Sequence, residues 1–153
     1  MNDHQRFMGF AYQEALKALD EGEVPVGAVI VQENRVIGRG YNRIEKLSDA
    51  TAHAEIIAIS AASNATSSWR LDNCTLYVTL EPCLMCLGAI LQSRIDTIVF
   101  GAEDPRAGAV VTHRFRNEVE RAYQWYPAVM PGIMGNECSR LIASFFSALR
   151  KKN

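Results

Sequence analysis

Two short clusters hold residue types that could do chemistry together. They are His53-Ala54-Glu55 and, thirty positions after the histidine, Pro82-Cys83-Leu84-Met85-Cys86. Zinc prefers thiolate and imidazole ligands, and a catalytic zinc site supplies three protein ligands while leaving a fourth position for water. His53, Cys83 and Cys86 make a set of three. At positions i and i+3 of a helix the two cysteines share a face. In a first turn, unpaired backbone N–H groups and the helix dipole favour their thiolate forms. Water in the fourth position would have its pKa lowered from 15.7 toward ~7. Glu55, two residues past a ligand, can reach that water without binding the metal, which suits a general acid–base.

Each residue also has a plainer reading. A lone C-x-x-C serves as a redox pair or as two core cysteines, and a lone histidine is commonly a satisfied core residue. The three ligand positions together, with a glutamate two after the histidine and a proline before the first cysteine, are much more specific. A purely structural zinc site normally closes its fourth position with protein, and the chain has no second C-x-x-C and no H-x-x-x-H. Cys74 lies in an apolar strand and Cys138 in the last helix, so both read as core. His4 and His113 have no ligand-like spacing and read as surface residues.

The elements that must position these residues follow from periodicity. Apolar residues at helical spacing predict a helix from about His4 to Glu21, with Gly22 placed to end it. Val26–Val31 and Arg35–Tyr41 flank the turn Gln32-Glu33-Asn34 as a hairpin. A polar loop, 42–50, follows, with Asp49 and Thr51 as candidate caps for a helix over 52–62. Cys74–Thr79 is a third strand. Pro82 suits the first position of a helix running to about Gln92. Ile95–Phe100 is a fourth strand, Pro127–Met130 a candidate edge strand, and Glu137–Lys151 a closing amphipathic helix. Strand–helix–strand steps favour parallel neighbours, so this α/β order predicts a mixed sheet covered by helices.

The chain has 153 residues, 48% of them hydrophobic and 22% charged, which fits one globular domain spanning 1–153. Its net charge of -1 provides no global field for nucleic acid, so any such partner needs a local patch. No apolar run of ~18 residues is present, which argues against a membrane partner. The polar N-terminus lacks a signal-peptide core, and the expected location is the cytoplasm.

The pattern H-x-E…P-C-x-x-C is that of zinc nucleobase deaminases. The flanking segments narrow the resemblance. Glu23-Val24-Pro25-Val26-Gly27-Ala28-Val29, Gly40-Tyr41-Asn42-Arg43, Ala50 to Ile56, Thr75 to Cys83, Phe100-Gly101-Ala102 with Asp104 and Gly108, and Glu137-Cys138 with Phe145-Phe146 closely resemble the bacterial tRNA-specific adenosine deaminases, the TadA family. That resemblance implies a cytidine deaminase-like three-layer α/β/α sandwich with a central mixed five-stranded sheet, one Zn2+ per chain, and a homodimer. It implies hydrolysis of adenosine to inosine at the wobble position of a tRNA anticodon stem-loop. Carried over by position, Asn42 hydrogen-bonds the flipped base or its ribose, Ala54 offers backbone contacts in the pocket, and Asp104 touches the nucleotides beside it. From the residues alone, Asn42 reads better as a turn residue and Asp104-Pro105 as an ordinary turn starter.

Residues 112–126 depart from the family pattern, and Leu149 stands where a second basic residue is common. Arg106, Arg114, Arg116, Arg121, Arg150, Lys151 and Lys152 would make a basic rim with Trp125 and Tyr126, or simply a solvated face. The alternative function is deamination of a free base or nucleoside such as guanine or cytidine, which would use the same catalytic groups. A catalytically silent RNA-binding subunit could dispense with Glu55, whose presence speaks against it.

Overall fold

The computed structural model describes residues 1–152. Glu33 and Asn34 take φ of 50° and 62°, the paired left-handed residues of a type I′ turn. That turn joins β1 (Gly27–Gln32) to β2 (Arg35–Tyr41) in antiparallel register, interrupted by one irregularity between Ile30 and Val31. On the other side of β1 lies β3 (Cys74–Leu80), also antiparallel, and β4 (Thr97–Ala102) and β5 (Ala128–Met130) extend the sheet in parallel. The order is β2-β1-β3-β4-β5. Parallel pairing occurs where a helix makes the crossover, namely α4 (Leu84–Ser93) and α5 (Arg116–Tyr123).

Alternation along the strands divides the core into two. Ala28, Ile30, Leu76, Val78, Ile98 and Phe100 face α3 (Ala54–Thr66) and α4, whereas Val29, Val31, Tyr77 and Val99 face Phe7, Met8 and Ala11 of α1 (Asp3–Asp20). Beside α1 lies α6 (Gly135–Lys152), so close to β4 that a Cβ on Gly101 would meet Cys138 Sγ at 2.6 Å. The result is the expected three-layer sandwich.

How closely α3 approaches the sheet is set by small residues on both sides. Ala54, Ala58 and Ala62 recur every four positions and are fully buried. They meet β2 at Gly38 and Gly40, where an added Cβ would lie 2.6 Å from Ala58 O and 2.6 Å from Ala58 N respectively.

Several local expectations are corrected. The helix carrying the cysteines begins at Leu84 with Cys83 as N-cap, so Pro82 stands before the helix and not at its first position. The third helix begins at Ala54 with His53 as N-cap. Asp49 closes a turn instead of capping it, accepting from Thr51 N at 2.9 Å and Thr51 Oγ1 at 2.8 Å. The polar loop after β2 contains a short helix, α2 (Ile44–Leu47), whose first amides are held by Glu23. Within the divergent 112–126 stretch, Phe115, Val119, Tyr123 and Tyr126 pack on the core at helical spacing around α5. The charges of Arg-Asn-Glu-Val-Glu-Arg mask that periodicity in the sequence. His4 is not a free surface residue, because its Nδ1 lies 2.9 Å from Tyr77 Oη; His113 is exposed.

Gly40→Ala would press a methyl into the α3 backbone, and we expect a loss of about 2 kcal/mol by chemical denaturation. Gly88→Ala, on α4 with nothing near its added Cβ, should be neutral or stabilising by up to about 1 kcal/mol. Equal effects of the two substitutions would remove close packing as the reason for Gly40.

Candidate active site

Strands β2 and β3 both run antiparallel to β1 and therefore point the same way. The helices that follow them start at the same edge of the sheet. His53 and Cys83, the two N-cap residues, have extended backbones (φ -77°, ψ 153° and φ -77°, ψ 175°), and neither side chain caps its own helix. They turn toward one another instead. His53 Nδ1 lies 3.7 Å from Cys83 Sγ and 3.6 Å from Cys86 Sγ. All three ligand atoms lie within 4.8 Å of one another, a group able to hold a metal ion. A tetrahedral ion with nitrogen at ~2.0 Å and sulfur at ~2.3 Å spans an N–S edge of about 3.5 Å, which these separations match closely.

Hydrogen bonds among the three side chains set the acidity of each. The Cys83 thiol is pulled down to about 4, chiefly by a hydrogen bond from Cys86 and also by His53, against the effect of burial. Cys86 is pushed up by the same hydrogen bond and by burial. The hydrogen bond with Cys83 raises His53 as an acid. Glu55, in the first turn of α3 and 4% exposed, is raised to about 7, first by burial and then by the neighbouring Cys83 charge. A carboxylic acid poised near neutrality can both take and return a proton.

His53, Cys83 and Glu55 open into a cavity of about 720 Å³ that also receives Asn42, Asp104, Arg106 and Phe146, with Cys86 fully buried and outside its lining. Asn42 is buried, and its Oδ1 accepts from Ala54 N at 2.8 Å. It thus supplies from β2's end the cap that His53 does not. Ala54 is fully buried, with its amide committed to Asn42, and it does not line the cavity. Asp104 does line it. At the same time its Oδ1 closes a turn onto Arg106 N at 3.0 Å and Ala107 N at 3.3 Å, so the wall and turn readings hold together.

The basic rim divides. Arg106 lines the cavity; Arg114, Arg116 and Arg121 do not. Arg150, Lys151 and Lys152 are exposed at the end of α6. Trp125 and Tyr126 are not free stacking surfaces. They are half-buried with Nε1 and Oη enclosed, and the guanidinium of Arg116 lies 4.8 Å from the Tyr126 ring centre.

Two buried carboxylates went unnoticed in the sequence. Glu23, 4% exposed, accepts from Glu45 N and Lys46 N, which steadies the α2 side of the cavity. Glu81, 2% exposed, accepts from backbone amides of the segment opposite. Burial works to raise its carboxyl, and the hydrogen bonds from Thr112, Asp104 and Val111 more than offset this, holding it below the ordinary glutamate value. The available signal was an acid directly before Pro82-Cys83 with no nearby cation in the sequence.

Asn42→Ala leaves the buried Ala54 amide without an acceptor. The expected loss is about 1–3 kcal/mol of unfolding free energy, seen as a lower denaturation midpoint. An unchanged midpoint would mean that water replaces Asn42 Oδ1 at no cost.

Comparison with known proteins agrees with this geometry. Residues 2–150 match the MafB19-like deaminase family. The tRNA-specific adenosine deaminase of Bacillus subtilis is 42% identical over 152 residues, covering 99% of this chain and 94% of that protein. The tRNA-specific adenosine deaminase of Haemophilus influenzae is 44% identical over 149 residues, covering 97% and 86%. A solved structure from work on A-to-I editing by tRNA:A34 deaminases at the wobble position superposes with a TM-score of 0.84 at 43% identity, covering 89% of this chain and 98% of that one. Similarity of this extent means that the chain belongs to the family of tRNA-specific adenosine deaminases.

Proposed function

We propose that this protein hydrolyses adenosine to inosine at the wobble position of a tRNA anticodon, with residues 1–153 acting as a single deaminase domain. The observation that carries this reading is the grouping of His53, Cys83 and Cys86, with His53, Cys83 and the buried Glu55 facing one cavity, in a chain so similar to tRNA adenosine deaminases. His53, Cys83 and Cys86 would hold one Zn2+. When bound, zinc supplies the Lewis acidity that makes water nucleophilic near neutral pH. Glu55 takes a proton from the attacking water, delivers it to N1 of the purine, and then passes the second to the departing amine. Water and adenosine are consumed, and inosine and ammonia are formed. Burial of Glu55 raises its carboxyl toward neutrality, which suits a group that must both take and give a proton.

Asn42 spends its carbonyl on Ala54 N, which leaves its amide NH2 on the cavity side to donate to the base or ribose. Ala54 contributes by fixing Asn42, and Asp104 by facing the nucleotide beside the target. Affinity for the stem-loop comes from outside the pocket. Phe146, 39% exposed and on the cavity wall, lies one helical turn before Arg150 on the same face of α6. A base stacked on Phe146 would bring its phosphates toward Arg150, Lys151 and Lys152. Family relationship supports a homodimer working in the cytoplasm; no helix among the described residues is long and apolar enough to cross a membrane.

Glu55→Ala should retain about one zinc per chain and the wild-type circular dichroism while activity falls by at least ~10²-fold. Cys86→Ala should lose most of its zinc, since ligand loss dismantles the site. Near wild-type turnover by Glu55→Ala would assign the proton transfers to another group.

The substrate is tested by offering an adenosine-bearing anticodon stem-loop beside free adenosine, guanine and cytidine. We expect inosine in the stem-loop and little product from the others. Binding should weaken by ~0.7 log unit per phosphate contact for each tenfold rise in salt. Alanine at Arg150, Lys151 and Lys152 should flatten that slope and leave zinc content unchanged. Rapid turnover of guanine with no inosine in the stem-loop would reverse the assignment.

A further inference from the structure

We propose that Glu81 is a positioning residue, whose buried carboxylate fastens the Asp104–Thr112 segment, the outer wall of the substrate cavity, to the turn that leads into Cys83. The inference rests on reading that cavity as the nucleotide pocket.

One oxygen, Oε2, accepts from three successive amides, Val110 N at 3.0 Å, Val111 N at 2.8 Å and Thr112 N at 3.0 Å. The other, Oε1, accepts from Asp104 N at 3.0 Å and from Thr112 Oγ1 at 2.6 Å. Among the described residues no lysine or arginine forms an ion pair with Glu81. Its negative charge is therefore satisfied by this segment, which wraps around it as an anion-binding backbone nest. Gly108 belongs to the same arrangement, because an added Cβ there would strike the Glu81 carboxylate. A second stitch, from Ala109 N to Pro82 O at 2.9 Å, joins the segment to the next residue along.

The enclosed stretch carries Asp104, Pro105, Arg106 and Ala107 onto the cavity. Cys83, two residues after Glu81, is a member of the metal-binding group. One side chain thus sets the distance between the reacting centre and the wall that meets the rest of the substrate. Acceptors that are ionised make stronger hydrogen bonds than neutral ones. Glutamine at this position would replace one acceptor oxygen by an NH2 that opposes the incoming donors.

The test uses the zinc-loaded full chain and compares wild type with Glu81→Gln. Amide hydrogen exchange at 104–112 should quicken by about tenfold or more, because a few bonds to an ionised acceptor are lost locally. KM for the stem-loop should rise about tenfold while kcat stays within about threefold, since the wall binds substrate and does not move protons. Zinc content should not change. Thr112→Val, which removes only the hydroxyl bond, should shift KM in the same direction by less, and it serves as the readout if Glu81→Gln does not fold. A variant with lower thermal stability but wild-type KM makes Glu81 merely structural and overturns the proposal, as does unchanged exchange at Val110–Thr112. If wild type itself forms no inosine in the stem-loop, the substrate assignment fails. Exchange and the KM comparison on free guanine then decide the role of Glu81 separately.

Discussion

Two helix starts must coincide for the centre to exist at all. The imidazole and the two sulfurs come from segments thirty residues apart, and each hangs from the first turn of a different helix. Parallel alignment of β2 and β3, with β1 between them, brings both starts to one sheet edge. Their separation depends on how deeply α3 sits on the sheet. Alanines at positions 54, 58 and 62 against Gly38 and Gly40 bring the helix backbone almost onto the strand. Larger residues at this contact would lift His53 away from the cysteines. Smallness in the core is thus as necessary to the ligand group as the ligands themselves.

Around that centre a single device recurs. Three segments beside the cavity are each held by a buried acceptor that takes backbone N–H groups from elsewhere in the chain. Glu23 holds the start of α2, Asn42 the start of α3, and Glu81 the 104–112 segment. Loops normally lie on the surface because their backbone groups need partners. Here side-chain oxygens supply the partners, and irregular segments can line a partly buried cavity without leaving donors unsatisfied.

Charge is distributed to suit two tasks. Glu55, Glu81, Glu103 and Asp104 lie on the cavity, where Arg106 is the single cation among its lining residues. Such a lining suits proton transfer and hydrogen bonding to a neutral base. Positive charge gathers on another part of the surface, where the exposed end of α6 carries three consecutive cations. A net charge of -1 is consistent with this separation, since a local patch shapes the nearby field whatever the overall balance.

Spacing alone pointed to the three side chains that the fold brings together. A histidine, a glutamate two residues on and a C-x-x-C after proline are local patterns, as are the alternating strands and the Gln32–Asn34 turn, and each was legible from a few neighbouring residues. The start of α4 was misplaced by two residues because Pro82 suits both the position inside a helix and the one before its cap. The helix α5 was missed because its exposed face is densely charged and only Phe115, Val119, Tyr123 and Tyr126 reveal its buried side. His4 looked free because its partner, Tyr77, is 73 residues away. Glu81 and Glu23 were invisible for the same reason: a backbone amide leaves no mark in a sequence, so an acceptor that binds amides 22 to 31 residues away has no recognisable partner. The sequence specified the chemistry, which depends on residue type. Tertiary structure decided how the cavity is held together, because that depends on main-chain groups every residue carries.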